Sequence, residues 1–224
     1  MNAPLIARLD PAKLRENAYF ALRDAFTRGA FAPGDQVSLR SLADQLGVSM
    51  TPVREAVRRL VAEGALIDTP SRTLMVPPFD ERRAIDLLAA RLALEHLVLD
   101  QAMDRMDEAC VAALTAIVRR AKDGPQAIPD LVANHEFHFT LYRQSGSEVL
   151  LPLIEALWLQ YGAYLNLIIK RPDIGRIVEH AHHFEIIDAL GKRDRAAAHR
   201  ALEADVTRSF RFLIPTGWHH DRKP

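Results

Sequence analysis

Apolar positions in the first eighty residues follow helical spacing in three short blocks. Ala18, Leu22, Ala25 and Phe26 predict a helix over 14–28. Ala32-Pro33-Gly34-Asp35 is a turn, after which Leu42, Ala43 and Leu46 mark a short helix that Gly47 ends. A third helix opens near Ser49-Met50-Thr51-Pro52, where Ser49 or Thr51 can cap free N–H groups and a first-turn proline is tolerated. It buries Val53, Val57, Leu60 and Val61, while Arg54 and Arg58, four apart, share another face. Gly64 stops it. Residues 65–69 and 73–76 then read as two short strands around Pro70-Ser71-Arg72. This order is that of a winged helix-turn-helix. Pro77-Pro78 can continue neither structure, and predicts the end of a domain covering residues 1–78.

From Asp80 onward the pattern turns helical throughout, with helices predicted at about 80–105, 107–122, 129–145, 148–170, 173–190 and 193–213. Gly124-Pro125, Ser145-Gly146 and Arg171-Pro172-Asp173 separate several of them. Six amphipathic helices with short connections predict an antiparallel bundle over residues 79–224, so the fold class is mainly α. The polar tail His219 to Pro224 is expected to fray.

Composition adds boundaries to this picture. Apolar residues at 49% and charged residues at 26% are ordinary for a globular chain and argue against disorder. Charged residues or histidine interrupt every long apolar stretch before eighteen residues, so no membrane span is expected. Met1 to Arg8 lacks a basic region followed by a long apolar run, so no secretory signal is expected either. The single cysteine, Cys110, cannot form an internal disulfide, which fits a reducing cytoplasm. The net charge is zero, but residues 1–78 hold ten Lys+Arg against eight Asp+Glu, and all nine histidines lie beyond them. With no strong basic field, any nucleic-acid contact must come from a local patch.

Such a patch is at hand. A short helix, a glycine turn and a capped helix would present Thr51, Arg54 and Arg58 to a major groove, with Ser49 at the same helix start. Arginine suits guanine because its planar fork can bond O6 and N7 together. Arg40 on the first helix of the pair and Arg72 at the hairpin tip could hold phosphate or enter the minor groove. An isolated arginine pair is usually only a solvated face; four converging arginines favour double-stranded DNA.

In the second half the helical register turns metal-competent groups inward. Asn134 and His138 are four apart on one face, beside Leu131, Leu141 and Tyr142. His183 is in register with Ile186, Ile187 and Leu190, and Asp205 with Leu202, Ser209 and Phe212. Buried unpaired, each would cost free energy, so they need partners. Hydrogen bonds among themselves or to water would serve. A shared divalent cation would satisfy all four, zinc first, with nickel, manganese or iron as alternatives. His180, His182, His135 and His199 face other directions and read as surface or solvated groups. Arg91 faces inward with Leu87, Leu88, Leu94 and Glu95; it either pairs with Glu95 along the helix or clamps a carboxylate. Tyr142, Tyr161, Tyr164 and Asn166 are candidate walls of the same cavity, although plain core packing also explains them.

Two resemblances sharpen these readings. The run Leu39-Arg40-Ser41-Leu42-Ala43-Asp44-Gln45-Leu46-Gly47-Val48-Ser49-Met50-Thr51-Pro52-Val53-Arg54-Glu55-Ala56-Val57-Arg58-Arg59-Leu60, followed by Glu63-Gly64, closely resembles the signature of the GntR family of bacterial transcription regulators. The resemblance implies that Arg40, Thr51 and Arg54 contact an operator. It departs at Met50, where an arginine is common, and at the wing, which lacks the usual glycine. Arg91-Leu92-Ala93-Leu94-Glu95, Asn134-His135-Glu136-Phe137-His138, His183 to Leu190, Asp194 and Asp205 resemble the FCD effector domain of the FadR/VanR-like branch. That implies a divalent metal on Asn134, His138, His183 and Asp205, and a carboxylate clamp at Arg91. One carboxylate and two neutral imidazoles leave a divalent site at +1, attractive to an anion.

The expected function is a ligand-responsive transcription regulator, a homodimer reading a palindromic operator and releasing it for a small organic acid. One recognition helix alone supplies too little specificity. A metal-dependent hydrolase is the alternative from another class, since the same ligands can activate water; it lacks a dedicated general base. A regulator whose bundle only dimerises, without metal, is the third.

Overall fold

The computed structural model describes residues 10–69, 73–122, 130–170 and 181–214. Among them are nine α-helices and one three-stranded antiparallel sheet. The N-terminal part contains α1 (Pro11–Thr27), β1 (Gln36–Val37), α2 (Leu39–Leu46), α3 (Met50–Ala62), β2 (Ile67–Asp68) and β3 (Leu74–Met75). The rest is α4 (Glu81–Arg105), α5 (Glu108–Lys122), α6 (Leu131–Arg143), α7 (Leu150–Ile169), α8 (Ala181–Gly191) and α9 (Arg195–Phe210). This is a winged helix-turn-helix followed by a helical bundle.

Short polar side chains start the helices. Asp10, Ser38, Asp80, Asp130 and Asp194 each accept a backbone N–H in the first turn of the helix that follows. Gly47, at φ +64°, takes the left-handed conformation that closes α2 and lets α3 depart in a new direction. Ser49 occupies the position before α3 but makes no side-chain cap bond, and Thr51 lies inside the helix, correcting the expectation that Ser49 or Thr51 caps it.

The sheet has the order β1-β3-β2, with Gln36 opposite Met75 and Ile67 also opposite Met75 on the other side. The β2–β3 pair is the expected hairpin. β1 was not expected: two residues offer no alternation to read. The hairpin tip with Arg72, the separators Gly124-Pro125 and Arg171-Pro172-Asp173, the start of the helix predicted from 173, and the tail all lie outside the described residues.

Two apolar cores result. Ala18, Phe26, Val53, Leu60, Leu66 and Val76 form the N-terminal one; Leu88, Leu99, Leu114, Phe137, Leu141, Ile186, Leu202 and Phe210 belong to the bundle. Leu159 and Ala163 of α7 pack into the N-terminal core, whereas Trp158, Tyr161 and Leu165 of the same helix pack into the bundle. Helix α7 is therefore buried on both sides, and joins the two halves.

Candidate functional site

The face opposite the N-terminal core carries the predicted DNA-reading groups. Pro52, Val53, Ala56, Val57 and Leu60 of α3 are buried, which leaves Thr51, Arg54 and Arg58 exposed. Ser49 and Arg40 are exposed as well. Arg58 Nη1 donates to Glu55 Oε1 at 2.8 Å, a solvated pair that leaves the guanidinium on the surface. Met50 is also open to solvent, at 48% exposure.

Inside the bundle, α6, α8 and α9 bring His138, His183 and Asp205 together. His138 Nε2 lies 3.0 Å from Asp205 Oδ2 and 3.3 Å from His183 Nε2, and His183 Nε2 is 3.7 Å from Asp205 Oδ2. All three residues are buried. A cavity of about 70 Å³ opens on this cluster. Asn134, one turn before His138, lines it with Arg91, Trp158, Tyr161 and Arg208, and Leu165, Ile168 and Val206 give it apolar walls. In a wider groove of about 590 Å³ between α5 and the end of α8, the charged members Asp107, Glu108, Arg119 and Arg193 are all exposed.

Hydrogen bonds behind His138 fix its tautomer. Tyr142 Oη donates to Glu95 Oε2 at 2.6 Å, and the same oxygen sits 3.0 Å from His138 Nδ1. A phenol has one proton, and the Glu95 carboxylate only accepts. Nδ1 must then carry the hydrogen and donate it to Tyr142, so the neutral ring presents a bare lone pair at Nε2. Adding a second proton is opposed by burial, which pushes the His138 pKa down. Burial alone would raise the Asp205 pKa, but the neighbouring His183 and His138 outweigh it and hold the carboxyl well below the usual range. That lone pair faces Asp205 Oδ2 at 3.0 Å and His183 Nε2 at 3.3 Å, so either a proton donated from His183 or a cation shared by all three satisfies it.

The donor set fits a metal ion. Ligands about 2 Å from a tetrahedral zinc sit roughly 3.3 Å apart, and the three separations here bracket that value. The imidazole whose far nitrogen is anchored by Tyr142 and Glu95 has the support that metal-binding histidines usually have.

The Glu95 carboxylate, fully buried, also accepts from Arg91 Nε at 2.7 Å and Trp158 Nε1 at 2.9 Å. Arg91 lies over the Trp158 and Tyr161 rings, 4.5 and 4.7 Å from their centroids. Burial would lower its pKa, but Glu95 more than compensates and keeps it charged. Arg91 therefore both pairs with Glu95 and lines the cavity.

Comparison with known proteins decides the family. Residues 14–75 match the gntR family of bacterial regulatory proteins and residues 86–208 match the FCD domain. The chain belongs to the GntR family and carries an FCD domain. The HTH-type transcriptional regulator McbR of Escherichia coli is 26% identical over 185 residues, 81% of this chain and 84% of McbR. The Nta operon transcriptional regulator of Aminobacter aminovorans is 28% identical over 174 residues, 75% of this chain and 80% of that one. The solved structure of E. coli McbR/YncC superposes with a TM-score of 0.83 at 25% identity, covering 91% of this chain and 98% of that one. This GntR protein is accordingly a DNA-binding transcription regulator. Its family and relatives are not enzymes, so the hydrolase alternative falls. No described helix is long and apolar enough to cross a membrane.

Other predicted residues of the GntR chain fall elsewhere than expected. Tyr142 is fully buried behind His138, where it supports the ring and does not wall the cavity. Asn166 points the other way along α7, its Nδ2 donating to the Gly29 carbonyl at 2.6 Å. Tyr164 packs edge-on against Phe79. His182 is a surface group bonded to Glu185, as expected; His180 lies outside the described residues. His199 is not simply solvated, since its Nε2 bonds Asp100 Oδ1 at 2.8 Å and its ring lies 4.5 Å from His96. Trp158 and Arg208 were missed as cavity groups. Their signal was spacing, Trp158 three before Tyr161 and Arg208 three after Asp205.

His135 is half-buried and stacked on Phe139 at 4.3 Å, with its pKa pushed down to about 4 by burial and then by Arg23 and Arg143. Below its ordinary value of 6.5 the unfolded chain takes up a proton that the folded chain refuses. Folding stability should therefore fall as pH drops from about 6.5 towards about 4. Denaturation at pH 7 and pH 5 should show a smaller pH-dependent loss in His135→Gln than in the wild type.

Proposed function

We propose that this regulator senses a small organic acid through a divalent metal held in its FCD domain. Residues 1–78 would bind operator DNA, and residues 79–224 would dimerise and bind metal and effector. The metal, zinc first, would be held by Asn134, His138, His183 and Asp205, and would supply a Lewis-acidic point for a carboxylate oxygen. The convergence of three buried donor residues, two of which, His138 and Asp205, line one cavity, supports this reading most. Arg91 would take a second carboxylate oxygen, with Trp158 and Tyr161 fixing the plane of its guanidinium. Two copies in a cytoplasmic homodimer would read the two halves of a palindrome, and the effector would release the DNA. To do so it must bind the two arrangements of the DNA-binding halves with different affinity.

Elemental analysis tests the metal. Protein stripped by chelator and reloaded with Zn(II) should hold about one ion per chain, and His183→Ala should hold none. Equal, substoichiometric zinc in both would favour a metal-free bundle that only dimerises. A thermal-shift screen of the loaded protein against hydroxy acids, sugar acids, dicarboxylates and aromatic acids then finds the effector, because at equal concentration the tighter ligand stabilises the folded state more.

On the DNA side, Arg54→Ala should weaken binding to a duplex selected from a random pool by about 1–3 kcal/mol. Binding to unrelated duplex should hardly change. An equal loss on both would place Arg54 on phosphate. His138→Ala should bind the duplex normally and lose its response to the acid.

A further inference from the structure

Helix α7 is the wall that the effector cavity and the DNA-binding domain share. Trp158, Tyr161, Leu165, Ile168 and Ile169 line the cavity. Residues interleaved with them grip the other domain. Gln160 Nε2 donates to the Glu63 carbonyl at 3.0 Å, and its Oε1 accepts from Arg83 Nη2 at 2.9 Å. Arg83 Nη2 also donates to the Gly64 carbonyl at 3.1 Å. Glu63 and Gly64 immediately follow α3, so these contacts hold the C-terminal end of the helix that carries Arg54.

A second grip lies at the end of α1. Gly162 meets the α1 backbone so closely that a Cβ there would stand 2.0 Å from the Phe26 carbonyl oxygen. One turn on, Asn166 bonds the Gly29 carbonyl. Arg23 of α1 and Glu155 of α7 add an ion pair at 3.0 Å.

We infer that α7 is the coupling element of this regulator: occupation of the cavity moves Trp158 and Tyr161, and Gln160, Gly162 and Asn166 carry that movement to α3 and α1. This rests on the metal and effector reading above. Arg91 is the point of entry, because it stacks on Trp158 and Tyr161 and bonds Glu95 at once. A carboxylate drawn to the metal and Arg91 competes with Glu95, and the rings of α7 follow the guanidinium. Closely packed helices shift in discrete steps, so a small movement at the cavity becomes a change in how the DNA-binding domain is seated.

The test measures duplex affinity with and without Zn(II) plus excess acetate, the simplest carboxylate probe. In the wild type, affinity for the selected duplex should change by roughly fivefold or more. In Gln160→Ala and in Asn166→Ala, neither of which touches cavity or DNA, Zn(II) uptake should persist while that change shrinks to within about twofold. Hydrogen exchange on the wild type provides a readout free of mutation: amides of residues 23–30 and 60–66 should change protection when the probe binds. Unaltered coupling in both variants overturns the proposal. So does probe binding to the wild type without any change in duplex affinity or in those amides. Absent Zn(II) uptake instead overturns the metal reading, and removes the ligand that would work the joint.

Discussion

Replacing Glu95 by glutamine should destabilise the protein by about 3–5 kcal/mol, the cost of stranding one member of a buried ion pair. Three donors end on this carboxylate: Arg91 Nε, Trp158 Nε1 and Tyr142 Oη. The amide keeps the shape but offers one acceptor oxygen where the carboxylate offers two. Its NH2 group must face either Tyr142 or the pair Arg91 and Trp158. The Arg91 charge, 2% exposed, then has no anion beside it. Urea denaturation of the metal-free protein reads the loss. A variant with both Arg91 and Glu95 changed to leucine should recover much of it, since apolar replacements of a buried pair are often neutral. A loss below about 1 kcal/mol in Glu95→Gln would mean that no buried ion pair rests on Glu95 and that Tyr142 does not fix the His138 tautomer.

Asp205→Asn should separate metal binding from stability. It removes the one negative charge among the three converging donors, so Zn(II) affinity should fall by more than about 100-fold, beyond the losses seen for supporting residues. The metal-free protein should lose under about 1 kcal/mol, because the new NH2 group can donate to the bare Nε2 of His138 and relieve the contact at 3.0 Å. Calorimetric titration and urea denaturation of the same preparations check the two halves. Strong destabilisation with zinc affinity retained would make Asp205 a structural partner of protonated histidines.

The sequence carried most of this arrangement because both domains are built on amphipathic helices with one buried stripe. Gly47, the arginines of α3 and the alternation of helix and short strand identified the winged domain. In the bundle, Asn134, His138, His183 and Asp205 were legible because polar groups stood out on otherwise apolar faces. Helix α7 resisted the same reading. Trp158, Leu159, Tyr161, Gly162, Ala163, Tyr164, Leu165 and Asn166 are all buried, so periodicity could not tell the cavity face from the face toward α1. Asn166 was therefore placed in the cavity when it belongs to the joint with Gly29. Tyr142 shares a stripe with His138, and register cannot distinguish a wall from a support behind it. His135 and His199 looked solvated because their partners, Phe139 and Trp158 for one and His96 and Asp100 for the other, include groups on other helices.

X-ray absorption at the zinc edge of the reloaded protein interrogates the cluster directly. Nitrogen and oxygen neighbours at about 2.0–2.1 Å, with outer scattering from two imidazoles, are the predicted spectrum. A shell of water oxygens without imidazole, or a sulfur neighbour at about 2.3 Å contributed by Cys110, would contradict it.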